Sequence, residues 1–112
     1  MLKRYDLKDT CPIELSLLLM GARYKAIIVI ELLGGKKRFS ELKNAISGVS
    51  QKVLTQHLRL MEEHKLIERK VFAEVPPRVE YSLTETGKSL ESVINTMIEW
   101  GDDYKKTFLT KK

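Results

Sequence analysis

The sequence predicts a mostly α-helical fold with one small β-hairpin, and three observations carry that expectation. Apolar residues recur at helical spacing in successive stretches, and prolines, glycines and serines suited to helix ends punctuate them. The stretch around Val79-Glu80-Tyr81-Ser82-Leu83 alternates as a strand does, and Pro76-Pro77 separates it from a second β-rich run. The 112 residues contain no repeat, linker or low-complexity tract, and 43% are hydrophobic, so a single domain with one modest core is expected over 11–109.

The elements follow in order. Thr10-Cys11-Pro12-Ile13-Glu14 opens the first helix: proline suits the first helical position, Cys11 becomes the N-cap, and Glu14 lies in the first turn. Its apolar run, Ile13 through Met20, stops at Gly21. A second helix is expected over about 23–33, with Ile27, Ile28, Ile30 and Leu33 at helical spacing and Gly34-Gly35 as its end. In Lys36-Lys37-Arg38-Phe39-Ser40-Glu41-Leu42-Lys43-Asn44-Ala45-Ile46, Phe39, Leu42 and Ile46 share one face of a short helix. Ser47-Gly48-Val49 reads as a tight turn, and Ser50 as the N-cap of a longer helix reaching His64. A strand over 67–73, the Pro76-Pro77 loop and a return strand over 79–83 form the hairpin, and Thr84 caps a last long helix from Glu85.

Two helices joined by a short glycine-containing turn, with a hairpin directly after them, give a winged helix-turn-helix. The extra N- and C-terminal helices are then left to pair two subunits. In the last helix Leu90, Ile94, Met97, Gly101, Tyr104 and Phe108 step by four and three, with Val93 and Trp100 widening the stripe, as in a helix-packing seam. A small core leaves part of that stripe uncovered, so a second copy is expected over it, together with the Leu15 to Met20 run; Leu15, Leu18, Leu90, Ile94, Met97, Tyr104 and Phe108 are the candidate contacts.

Charge locates the expected partner. Ten basic and five acidic residues lie between Lys36 and Arg78, so this segment accounts for the whole net charge of +5. Such a concentrated excess suits duplex DNA. On a helical wheel Val53, Leu54, Leu58, Leu60 and Met61 share one side of the 50–64 helix, and Lys52, Thr55, Gln56, Arg59 and Glu63 lie opposite. Near the N-terminus the outer face carries Gln51, Lys52, Thr55, Gln56 and Arg59 and no acid; Glu62 and Glu63 come late, where a groove-inserted helix leaves the DNA. An ordinary amphipathic surface helix has the same periodicity, but these side chains are ones that read base edges or hold phosphates. Lys36, Lys37, Lys43 and backbone groups near Ser50 are expected on phosphates. Arg78, next to the prolines, is expected to reach flanking phosphates or the minor groove. A winged helix used only to dock proteins would instead present a hydrophobic or acidic outer face.

Other classes fit poorly. The sequence has no nucleophile–base pair, glycine-rich phosphate loop or metal signature, so neither an enzyme nor a cofactor is expected. His57 and His64 lie two helical turns, ~10.8 Å, apart, too far to share one metal ion. Met1-Leu2-Lys3-Arg4-Tyr5-Asp6 lacks the apolar stretch of a leader, and no run approaches the ~20 residues of a membrane span. The single cysteine fits a reducing cytoplasm.

Four stretches resemble the HxlR-type regulators: Cys11-Pro12-Ile13-Glu14; Phe39-Ser40-Glu41-Leu42; Ile46-Ser47-Gly48-Val49-Ser50-Gln51-Lys52-Val53-Leu54-Thr55-Gln56; and Glu74-Val75-Pro76-Pro77-Arg78-Val79-Glu80-Tyr81-Ser82-Leu83-Thr84. The resemblance runs from Cys11 to about Trp100-Gly101. It implies a cytoplasmic, homodimeric transcription factor whose recognition helix starts at Ser50 and whose wing lies near 74–79. His57 departs from the glutamine common in the family, and Arg23-Tyr24-Lys25 looks like a variant of the family's Gly-Lys-Trp segment. Some members sense electrophiles or oxidants through a cysteine in this N-terminal region, which the resemblance extends to Cys11. The other reading of Cys11 is a small residue that merely starts a helix.

Overall fold

The computed structural model describes residues 9–21 and 23–109; the opening hexapeptide lies outside them. Its elements are α1 (Pro12–Met20), α2 (Arg23–Leu33), β1 (Lys37–Arg38), α3 (Phe39–Ala45), α4 (Gln51–Glu63), β2 (Ile67–Phe72), β3 (Arg78–Leu83), α5 (Glu85–Lys88) and α6 (Leu90–Tyr104), followed by a π-helical turn, Lys105–Leu109. The fold is the expected winged helix-turn-helix with flanking helices. Among the described residues no helix is long and apolar enough to cross a membrane.

Local chemistry sets the boundaries. Pro12 occupies the first turn of α1, and Cys11 has the extended backbone of an N-cap. Gly48, at φ 82°, makes the turn between α3 and α4, and the Tyr24 hydroxyl donates to its carbonyl at 3.3 Å, tying that turn to α2. Ser50 caps α4: its Oγ accepts from the Val53 amide at 3.1 Å. At the other end of α4, Lys65 adopts φ 65°; its amide donates to the Glu62 carbonyl and that of Leu66 to Met61. This paired arrangement satisfies the last carbonyls of the helix and reverses the chain within three residues.

Two features differ from the hairpin-and-long-helix expectation. Lys37 and Arg38, read as the approach to a helix, instead pair with Tyr81 and Glu80, giving a three-stranded antiparallel sheet in the order β1-β3-β2. The last helix is also divided. Thr84 caps α5 by accepting from the Gly87 amide at 3.0 Å, while its hydroxyl donates back to the Lys65 carbonyl at 2.7 Å. This stitch turns the chain sharply, and α6 restarts after Ser89.

The core lies between the helices and the sheet. Ile28, Val29 and Leu32 of α2 meet Leu42 and Ile46, the inner residues Leu54, Leu58 and Met61 of α4, and Ile67, Tyr81 and Leu83 of the sheet. Full burial of each such aliphatic side chain contributes ~1.5–3 kcal/mol, so α4 is anchored by its own inner face. Ile94 joins this core and is only 4% exposed, and Leu90 packs against it half-buried. The seam expectation is corrected here. Ile94 packs within its own chain because α6 lies against α2, and the stripe on α6 is wide enough to serve two faces.

Candidate nucleic-acid interface

The core fixes which way α4 faces. With Leu54, Leu58 and Met61 inward, Lys52, Gln56, Arg59 and, at the far end, Glu63 are exposed on the opposite side, and Gln51 is exposed at the start of the helix. Thr55 is half-buried and, with Arg59, edges a shallow groove of about 240 Å³ shared with Arg69 and Tyr81 of the sheet. No acid lies in the first turn of α4. The amides of that turn and the positive end of the helix dipole therefore sit beside Lys52, and the acid of this face, Glu63, comes only in the last turn. Burial raises the Tyr81 hydroxyl above its ordinary pKa, so the phenol stays neutral beside the Arg69–Glu62 ion pair that also lines the groove.

The supporting cations divide. Lys43 is half-buried on α3 and Lys37 half-buried on β1, while Lys36 is exposed. Lys36 Nζ lies 3.6 Å from Glu80 Oε1. Arg78 differs from the expected free contact. Its guanidinium lies 4.0 Å from the Phe72 ring centroid and forms ion pairs with Glu74 at 3.2 Å and Glu80 at 3.5 Å. Register explains this: Arg78 is directly opposite Phe72 across the hairpin, and Glu80 lies two residues along the same face. Arg78 braces the base of the wing, and the 73–77 tip projects beyond it with Val75 and both prolines exposed. Replacing Glu80 by Gln is expected to release Lys36, while Arg78 stays paired with Glu74 and against Phe72. The slope of log K against log salt for duplex binding then steepens by ~1. An unchanged slope in a salt titration would show that Lys36 does not reach phosphate.

His57 faces inward. It is half-buried, 6.0 Å from the Tyr24 ring, and its pKa is lowered by desolvation and by the nearby Lys25 charge. Its Nδ1 is buried with no hydrogen-bond partner among the described residues. Lys25, to which no role was given from sequence, is itself buried on α2. The signal was present: Lys25 shares the α2 face of Ile28, Val29 and Leu32, so a lysine occupies a core position.

The remaining candidates lie away from this face. Cys11 is exposed at the start of α1. Its neutral thiol makes no cap hydrogen bond, but the backbone amides of Glu14 and then Ile13 favour the thiolate and hold the pKa below the ordinary thiol value. On α1 the outward apolar residues are Ile13 and Leu17; Leu15 and Leu18, the expected contacts, are half-buried. On α6 and its π turn Met97 is exposed beside an outward ladder of rings. Trp100 stacks on Tyr104 at 5.6 Å, and Tyr104 meets Phe108 at 4.9 Å.

A helix face that is basic over its first turns, set on a helix-turn-helix beside a braced hairpin, defines a DNA-binding transcriptional regulator rather than an enzyme. The chain belongs to the HxlR-like helix-turn-helix family, matching it over residues 19–108. It is 45% identical over 97 residues to the uncharacterized HTH-type transcriptional regulator YdeP of Bacillus subtilis (strain 168), covering 87% of this chain and 76% of that protein. Among solved structures it resembles the HTH-type transcriptional regulator ytcD, with a TM-score of 0.82 and 40% identity over 87% of this chain and 99% of that one. It also resembles the redox regulator HypR in its reduced form, with a TM-score of 0.83 and 37% identity over 90% of this chain and 100% of that one.

Proposed function

We propose that the chain binds operator duplex DNA as a homodimer in the cytoplasm, with α4 in the major groove and the 73–77 wing alongside. The observation that carries this reading is the outward face of α4, where Lys52, Gln56 and Arg59 are exposed together, with Gln51 exposed at its start, and the acid Glu63 comes only in the last turn. Gln56 and Arg59 are the base-reading side chains, since an amide matches adenine and a guanidinium matches guanine in the major groove. Gln51, Lys52 and Thr55 complete the reading face. Lys36, Lys37, Lys43 and the backbone amides after Ser50 set the register on phosphates. The exposed ring ladder and the Ile13–Leu17 face support pairing with a second copy, because such apolar surface is costly to leave in water. Two copies related by a two-fold axis would read half-sites ~34–36 Å apart.

The test is selection of bound fragments from a genomic library, followed by titration of the chosen operator. Gln56→Ala and Arg59→Ala are expected to cost ~1–3 kcal/mol on the operator and to relax preference at particular base pairs. Lys43→Ala should weaken every sequence about equally. Full sequence preference in both α4 variants would reject α4 as the reader.

Cys11 is the proposed entry point for a signal. HypR is named as a redox regulator, and here the thiol is exposed with its thiolate favoured by two backbone amides. With no second cysteine in this sequence, the chemistry open to it is addition of the thiolate sulfur to a quinone, or exchange with a small disulfide, which releases one small thiol and leaves a mixed disulfide that Cys11 of a second copy can attack with release of the other. Iodoacetamide should alkylate Cys11 with a pH midpoint below that of a free cysteine. Quinone treatment should release wild-type protein from DNA but not Cys11→Ser. Equal release of both proteins, or of neither, would make Cys11 structural.

A further inference from the structure

Behind the reading face lies a cavity of about 640 Å³, walled by Leu17 and Leu18 of α1, Lys25 of α2, and His57 and Leu60 from the inner side of α4. Besides its three leucines and His57 it is lined by Thr10, Glu14 and Gly21, and Lys25 is its one lysine or arginine. Lys25 is 8% exposed and donates to the Leu18 carbonyl at 3.3 Å. Among the described residues that is its one hydrogen bond, and no carboxylate lies within ion-pair distance of it. An ammonium has three donors, and burying it without a counter-charge is unfavourable unless something supplies one.

We propose that this cavity is an effector site for a small amphipathic monocarboxylate, whose carboxylate pairs with Lys25 and whose apolar body lies against Leu17, Leu18 and Leu60. The volume falls within the ~300–1,000 Å³ range of small-molecule sites, which combine apolar walls with few polar anchors. A monoanion fits better than a phosphate. One ammonium faces the cavity, Glu14 also lines it, and the lowered pKa of His57 keeps the imidazole neutral, so a dianion would be under-compensated. Desolvation also lowers the pKa of Lys25, the strain that an anion would relieve. The site touches the back of α4, so occupancy is coupled to the set of the reading helix; that coupling rests on the DNA-binding role proposed for α4.

The experiment uses the full chain, with benzoate as probe and benzamide as its uncharged counterpart, in calorimetry and by the NMR signals of His57. Wild type is expected to bind benzoate saturably and about tenfold more tightly than benzamide, a preference that Lys25→Met abolishes while benzamide binding is kept. Saturating benzoate should change operator affinity by roughly threefold or more in wild type and not in Lys25→Met. Equal binding of the two probes by wild type would overturn the proposal without recourse to any variant. The absence of saturable binding, as when a second copy fills the cavity, would overturn it as well. Benzoate binding that leaves operator affinity unchanged would refute the effector role. If the protein binds no DNA at all, the α4 reading fails, while the probe comparison still decides whether Lys25 holds a carboxylate.

Discussion

Replacing Tyr104 by Glu is expected to halve the particle mass in light scattering, from about twice 12.9 kDa to that value, and to weaken operator binding by ~10²–10⁴-fold. Tyr104 is the middle rung of the Trp100–Tyr104–Phe108 ladder and is 45% exposed in the single chain. A carboxylate there faces water in the monomer, so folding is preserved. In a dimer it would be buried among aromatic rings without a partner, which is unfavourable by several kcal/mol. The large loss of affinity follows from geometry. A dimer that engages one half-site holds its second α4 over the other at high effective concentration, and a monomer does not. A wild-type monomer at micromolar concentration, or an undiminished dimer in the variant, would remove the α6 ladder as the seam.

The second large effect concerns stability. Gly87 is buried in α5, and a Cβ built there lies 2.1 Å from the Leu66 carbonyl oxygen and 3.0 Å from a Leu83 methyl. The oxygen belongs to backbone that also accepts from the Thr84 amide at 3.0 Å, so it cannot swing aside as a side-chain tip would. Gly87→Ala is therefore expected to destabilise by ~3 kcal/mol, at the upper end of overpacking costs, despite the better helix propensity of alanine. A urea unfolding curve checks this through its midpoint. A variant as stable as wild type would mean that the junction between α4, β2 and α5 deforms freely.

These two residues also mark where sequence reading succeeds and where it stops. The bounds of α1 and α2 were legible because Pro12, Gly21 and Gly34-Gly35 act locally, through φ preferences and missing donors. The start of α4 was legible through Ser50, and its outward face through the inward Leu54–Leu58–Met61 row. Strand β1 was not legible. Two residues cannot show alternation, and their pairing to β3 is set by chain far away. The break before α6 was hidden for the same reason, since the constraint on Gly87 comes from Leu66. The stripe on α6 announced an apolar helix, but which part turns inward depends on where α2 lies, and so Ile94 was misplaced. Arg78 was read as a free loop cation because its partners, Phe72 and Glu80, become neighbours only once the hairpin register exists.

The three-residue reversal at 64–66 has a mechanical consequence. The amides of Lys65 and Leu66 close α4 onto the Glu62 and Met61 carbonyls, and their own carbonyls accept from Thr84, the cap of α5, directly before β2 begins. These bonds tie the end of α4 to the start of the hairpin, so α4 and the wing are expected to move together. In the dimer proposed above, a signal would then act on the separation and angle between the two α4 helices. Inactive forms should therefore keep their contacts to a single half-site while losing affinity for the paired one.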